Sequence, residues 1–226
     1  MKQIPLPLQT RPEPGFDAFV AGANALALQQ VQALAPDESA APVYLWGPPG
    51  SGKTHLLRAL TARFRAQGGS VAWFGAADAA PWALAEPAAL IVLDACEAFD
   101  AAQQHAAFAL FVEAAGQRCT VAAAGRLPPV DLPLREDLRT RLGSGPVFAI
   151  SPLGETEARA VLCQESERRG IVLSDDVMSF LMTRFSRDLK HLMALLDRLD
   201  EFALAEHRAV TVPLLKKLFE EEGATL

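Results

Sequence analysis

The chain has 226 residues, 50% of them hydrophobic and 21% charged, a balance that excludes disorder as a description of the whole and allows one or two domains. At this length about 70% of the unfolded surface can be buried, so no disulfide or metal is needed to hold a fold together. The net charge of −6 gives no general attraction to phosphate backbones, which excludes a nucleic-acid coat protein while leaving room for a local basic patch.

Residues 1–14 are polar and broken by prolines, so they are expected to form an extended tail without the apolar core of a signal peptide. From Phe16 to Ala35 the apolar positions Ala25, Leu26, Leu28 and Val31 predict a helix that Pro36 ends. Val43–Trp46 reads as a buried strand and Lys53–Ala66 as a helix with an apolar face of Leu56, Leu57, Leu60 and Phe64. Strands are predicted at 71–75 and 89–94, the latter apolar enough to be covered on both faces. A helix over 101–115, a strand at 120–125, a short helix with the buried stripe Leu134, Leu138 and Leu142, and a strand at 147–150 follow. Beyond Pro152 the strands stop, and helices are expected at about 155–169, 175–184, 187–206 and 212–221.

Strands alternating with helices imply βαβ units, hence an α/β class with a five-stranded parallel sheet and flanking helices, followed by a small all-helical domain. The boundaries expected are a tail at 1–14, an α/β domain at 15–152 and a helical lid at 153–226. Cys96, Cys119 and Cys163 are odd in number, far apart and outside any CxxC pair, which argues against a disulfide framework or zinc ribbon and fits a reducing, cytoplasmic setting. The histidines His55, His105, His191 and His207 lack metal-ligand spacing. No apolar run approaches the roughly 20 residues that would span a membrane.

Gly47, Pro48, Pro49, Gly50, Ser51, Gly52, Lys53 and Thr54 match the pattern GxxxxGK followed by Ser or Thr, between a predicted strand and the start of a helix. In that context glycines let backbone N–H groups turn inward onto phosphate oxygens, and the helix N-terminus adds the positive end of its dipole. Lys53 is expected on the β- and γ-phosphates of ATP or ADP, Thr54 in the Mg²⁺ shell, and His55 completes the predicted nucleotide set. Asp94, closing the apolar strand, is the candidate Walker B carboxylate for that Mg²⁺ shell. Ala95 follows it where many ATPases carry a second carboxylate, and Glu97 is expected to be badly placed to substitute. The reading is therefore good nucleotide binding with weak or absent intrinsic hydrolysis.

The P-loop, the acidic strand end and the helical lid resemble an AAA+ domain of the DnaA branch, over about residues 16–220. Phe16–Asn24 is similar to the DnaA segment near the adenine. Gly125-Arg126-Leu127-Pro128-Pro129 is similar to its sensor I loop, Asp137–Leu142 to its arginine-finger motif, and Arg184–Leu199 to its sensor II helix. On this resemblance Arg126 occupies an acidic sensor I position, Lys190 stands in the nucleotide site where sensor II carries arginine, and Arg141 is the arginine finger. Gln3-Ile4-Pro5-Leu6-Pro7-Leu8 resembles the QxxLxL peptide that docks on sliding clamps, with Gln3, Ile4, Leu6 and Leu8 as contacts. A clamp peptide before an isolated DnaA-like module, without the helix-turn-helix domain that follows the lid in DnaA, resembles the family of regulatory inactivators of DnaA. That family implies a negative regulator of replication initiation that docks on the clamp and stimulates ATP hydrolysis by DnaA in trans. Its partners would be the clamp and DnaA, with DNA reached only through the clamp, no membrane, and self-association left open.

The alternatives are specific. Arg141 could instead form an i, i+4 salt bridge with Asp137, with Arg139 the second finger candidate. The tail could simply be solvated. Trp46, Trp73 and Trp82 read as core or interface aromatics, Lys216-Lys217 as a solvated helix face, and Cys163 as a buried lid residue. An autonomous ATPase of the helicase-loader or clamp-loader type and a DnaA-like origin-binding protein are the competing functions.

Overall fold

The computed structural model describes residues 15–36, 41–84, 86–185, 192–199 and Leu215. The chain divides into two units, Met1–Ile150 and Ser151–Leu226. In the first, strands β1 (Val43–Trp46), β2 (Val71–Gly75), β3 (Leu90–Asp94), β4 (Thr120–Gly125) and β5 (Val147–Ala149) form one sheet in the order β2-β3-β4-β1-β5. Every neighbouring pair is parallel. Helices α1 (Ala25–Ala33), α2 (Lys53–Ala66), α3 (Ala101–Ala115) and α4 (Glu136–Leu142) flank it.

The period-2 alternation of strands divides the core into two layers. Val43, Leu45, Leu90, Val92, Ala122 and Ala124 pack with Val31 of α1 and Leu56, Leu57, Leu60 and Phe64 of α2. Tyr44, Ile91, Leu93, Val121 and Ala123 pack on the other face with Leu110 and Phe111 of α3 and Leu138 and Leu142 of α4. The predicted apolar face of α2 is fully buried, each such side chain contributing about 1.5–3 kcal/mol. Because both faces of β3 are covered, its apolar continuity needed no alternation. Trp82 is buried, stacked on Phe74 and edge-on to Phe99, while Trp46 and Trp73 pack partly buried at opposite faces.

The start of α3 is fixed by a capping box. Asp100 Oδ1 accepts from the Gln103 N–H at 2.8 Å and Gln103 Oε1 accepts from the Asp100 N–H at 2.9 Å. Gln103 also donates to the Ala76 and Asp78 carbonyls, tying α3 to the turn after β2.

Two helix expectations are corrected. Phe16–Ala35 is not one helix: 3-10 turns at Phe16–Ala18 and Gly22–Asn24 precede α1, and the backbone goes extended at Phe19 and left-handed at Gly22. The short helix carrying Leu138 and Leu142 begins only at Glu136, so buried Leu134 lies ahead of it rather than on its stripe. The edge strand β5 ends at Ala149, one residue early.

The second unit holds α5 (Glu155–Arg168), α6 (Asp175–Phe185) and a helical stretch at 192–199. Ala158, Leu162, Val177, Leu181, Leu195, Leu199 and Leu215 form its core. α5 ends where Gly170 turns left-handed, with the Ile171 N–H returning to the Ser166 carbonyl. Glu165 pairs with Arg168 and Arg169, and Arg169 reaches Asp197. Cys163 is half-buried at the edge of this core rather than inside it. The rest of the helices expected at 187–206 and 212–221 lies outside the described residues. Among the described residues no helix is long and apolar enough to cross a membrane.

Candidate functional site

β1 delivers Gly47 at its C-terminal end and α2 begins at Lys53, so the glycine loop bridges a buried strand and a helix N-terminus. Two glycines are obligatory there. A Cβ on Gly47 (φ +153°) would lie 2.2 Å from the Ile150 carbonyl oxygen, and one on Gly52 (φ +100°) would lie 2.8 Å from the Phe19 ring. Lys53 Nζ donates to the carbonyls of Gly47 at 2.7 Å and Pro48 at 2.8 Å and to Ser51 Oγ at 3.4 Å. Burial lowers the Lys53 pKa, opposed by the carboxylates of Glu97 and Asp94, while Arg126 lowers it further.

Thr54 Oγ1 donates to Asp94 Oδ2 at 2.9 Å, and Asp94 Oδ1 accepts from the Ala95 N–H at 3.0 Å. The two residues predicted for the Mg²⁺ shell are therefore in direct contact across 40 residues of sequence. Ala95 is left-handed (φ 58°, ψ 45°), a conformation costing a non-glycine residue roughly 1–2 kcal/mol. It redirects the chain into a 3-10 turn, Cys96–Ala98. His55 Nε2 lies 3.3 Å from the Gly15 carbonyl and its ring meets Phe19 edge-on, so it holds the segment before α1 against α2. Burial lowers its pKa.

The glycine cradle, the α2 N-terminus and Lys53 suit phosphate, and the Thr54–Asp94 oxygens suit a hard divalent cation. The residues present thus fit a Mg²⁺-nucleotide.

The partners of Glu97 and the role of Tyr44 escaped the sequence reading. The turn after Ala95 brings Glu97 to the end of β4. There Oε2 accepts from the Arg126 N–H and Oε1 pairs with Arg126 Nε, both at 3.1 Å. Gly125 makes room, since a Cβ on it would lie 2.1 Å from Tyr44 Oη and 3.2 Å from Glu97 Oε2. Tyr44 Oη donates to the Leu127 carbonyl at 3.0 Å and pins the loop after β4; burial holds its phenol well above the usual range. Glu97 lies one turn past Asp94, the only hint the sequence offered.

On the α3 face of the sheet, the Asp137–Arg141 pair weighed as the alternative does not form. Asp137 instead binds Arg135 at 2.6 Å and accepts from the Leu138 N–H at 2.8 Å. Arg141 is exposed, its guanidinium 6.0 Å from the centroid of the Phe108 ring, with no carboxylate paired to it among the described residues. Arg139 donates through Nη1 to the Val130 carbonyl at 2.9 Å, while its buried Nε has no partner. The predicted contacts Gln3, Ile4, Leu6, Leu8 and Lys190 lie outside the described residues.

Comparison with known proteins agrees with this geometry. Residues 10–71 match the bacterial DnaA ATPase domain, and residues 155–219 match the lid domain of Hda. The chain is thus similar to the DnaA ATPase domain around its P-loop and to Hda in its lid. An uncharacterized protein of Haemophilus influenzae is 29% identical, the match covering 96% of this chain and 98% of that one. Domain III of DnaA from Thermotoga maritima superposes with a TM-score of 0.75 at 16% identity, covering 93% of this chain and 97% of that domain. AMPPCP-bound DnaA from Aquifex aeolicus gives a TM-score of 0.69 at 18% identity, covering 94% of this chain and 71% of that one. At these identities the structural matches establish the fold: a five-stranded parallel sheet with flanking helices and a C-terminal helical lid.

Proposed function

We propose that this chain is a nucleotide-bound negative regulator of replication initiation. It docks on the sliding clamp through Gln3, Ile4, Leu6 and Leu8 and stimulates ATP hydrolysis by DnaA, with Arg141 acting in trans. The observation that carries the reading is the state of Arg141: exposed on a short helix, with Asp137 taken by Arg135 and no carboxylate paired to it among the described residues. α4 packs on the sheet face opposite α2, so Arg141 is suited to a neighbour's nucleotide rather than its own. An arginine supplied in this way neutralises charge growing around the γ-phosphate. The match of residues 155–219 to the Hda lid favours the regulatory branch over DnaA itself.

In its own site, Gly47 to Gly52 would wrap the phosphates of ADP or ATP and Lys53 would turn its ammonium toward them. Thr54 and Asp94 would hold Mg²⁺, which supplies charge neutralisation at the phosphates when bound. Lys190, a point charge rather than a fork, would contact the nucleotide from the lid. Such a protein works in the cytoplasm and reaches DNA only through the clamp.

The deciding experiment measures phosphate release from ATP-loaded DnaA with and without this protein, each with and without DNA-loaded clamp. Stimulation that requires both additions supports the proposal; none under any condition overturns it. A second reading, an autonomous ATPase of the helicase-loader or clamp-loader type, draws support from Glu97, a second carboxylate that the turn after β3 brings to the end of β4. Turnover by the chain alone at a rate typical of such motors would favour it.

A further inference from the structure

Asp137 and Arg141 lie four residues apart on α4, acid before base, the order in which a helix surface pairs such charges best. Asp137 is nevertheless occupied from elsewhere. Its Oδ2 accepts from Arg135 Nη2 at 2.6 Å and its Oδ1 accepts from the Leu138 N–H at 2.8 Å. Arg135 is in turn fixed from α3. Its backbone N–H donates to Gln104 Oε1 at 3.0 Å, and its Nη1 reaches the His105 ring. Gln104 is itself held, donating through Nε2 to the Phe99 carbonyl at 2.9 Å. The Arg135 and Asp137 side chains are 40% and 34% exposed, so the ion pair alone would gain little in water. Anchoring Arg135 on α3 lowers the entropy lost in keeping it. Arg141 lies instead against Phe108 of α3, its guanidinium 6.0 Å from the ring centroid.

We propose that Arg135 is a positioning residue for the arginine finger: by occupying Asp137 it keeps that carboxylate from capturing Arg141, and so keeps Arg141 available to a neighbour's γ-phosphate. This rests on the reading of Arg141 as a finger acting in trans. The arrangement reconciles two demands on one short helix. A carboxylate in the first turn of α4 favours the helix through its dipole and satisfies the Leu138 N–H. The same carboxylate, left without Arg135, would compete with the neighbour for the Arg141 guanidinium. A second arginine supplied from just ahead of the helix and tied to α3 removes the competition and leaves the acid in place.

The test uses the full chain with ATP-loaded DnaA and DNA-loaded clamp, as parent, R135Q, R135K, D137N and R135Q/D137N, with R141A marking the loss of the finger. Phosphate release is followed at low salt and again with added salt, beside melting curves of each variant. R135Q should stimulate about twofold less than the parent, the scale of one i, i+4 ion pair. That deficit should shrink as salt screens the new pair. R135K keeps a cation for Asp137 and should stay near the parent, as should D137N alone. R135Q/D137N should return to the parental rate. The rescue separates positioning from folding: both substitutions remove interactions from the start of α4, so a purely structural role predicts a double variant worse than either single one. R135S replaces the same side chain and serves if R135Q folds poorly. R135Q at the parental rate in low salt overturns the proposal, as does a double variant no better than R135Q. A parent that fails to stimulate DnaA, or an R141A that still does, overturns the finger reading itself, and this inference with it.

Discussion

Replacing Arg141 by Ala separates function from folding on the scale of the expected effects. The side chain is exposed, makes no ion pair among the described residues, and touches Phe108 only through its guanidinium face at 6.0 Å. A cation over an aromatic ring at an exposed site contributes about 0.5–1 kcal/mol. A positive charge in the last turn of a helix adds about 0.3–1 kcal/mol. Arg141→Ala should therefore cost about 1–2 kcal/mol, a shift of a few degrees in Tm for a chain this size. Leu138 and Leu142, which anchor α4, are untouched. A finger acting on a neighbour's γ-phosphate is worth about 10³–10⁵ in rate, or about 4–7 kcal/mol of barrier. The assay is phosphate release from ATP-loaded DnaA in the presence of DNA-loaded clamp, beside melting curves and ADP titrations of the variant. The expected result is a variant that folds, binds nucleotide and binds clamp, yet no longer stimulates hydrolysis. Arg141→Lys should recover little, because an ammonium lacks the planar fork. Full stimulation by Arg141→Ala would refute the assignment and pass the role to Arg139. Truncating Arg139 should itself cost stability, because Nη1 holds the Val130 carbonyl.

Lys53→Ala removes the ammonium that the P-loop carbonyls and Ser51 hold at the mouth of the cradle, and should abolish ADP binding in a titration together with ligand-dependent gain in Tm. Gln3→Ala with Leu6→Ala should eliminate retention on immobilised clamp and leave ADP affinity unchanged; retention that survives deletion of residues 1–10 would exclude the tail as the docking element. In the lid, hydrogen bonding from Arg168, with that from Arg169, holds Glu165 down at about 2 despite its partial burial. A depressed carboxylate stabilises the fold above its unfolded pKa and loses that contribution as pH falls toward the folded one. Lid unfolding should therefore become easier between about pH 4.5 and about pH 2, and Glu165→Gln should flatten that part of the stability profile.

Much of this molecule is written in local signals. The strands at 43–46, 71–75 and 120–125 and the helix Lys53–Ala66 were legible because apolar runs, helical spacing and glycine punctuation act within a few residues of one another. The P-loop and the Asp94 strand end were legible for the same reason, each being a strand terminus with its own residue pattern. The segment before α1 was not, because the apolar positions that suggested one helix, Ala25, Leu26, Leu28 and Val31, all fall within α1 and carry no signal for residues 16–24, where Phe19 packs toward Gly52 and His55. Charge pairing was beyond the sequence altogether. Spacing offered Arg141 to Asp137, but the backbone brought Arg135 there first, so the finger candidate has no paired carboxylate among the described residues. The partner of Glu97 could not be read from its number along the chain. Its place beside Arg126 depends on a left-handed Ala95 and on a glycine at the end of a different strand. Local propensity determines which elements form; which carboxylate meets which cation is settled only when the sheet has brought β3, β4 and the P-loop together, since Coulomb energy follows distance in space rather than in sequence.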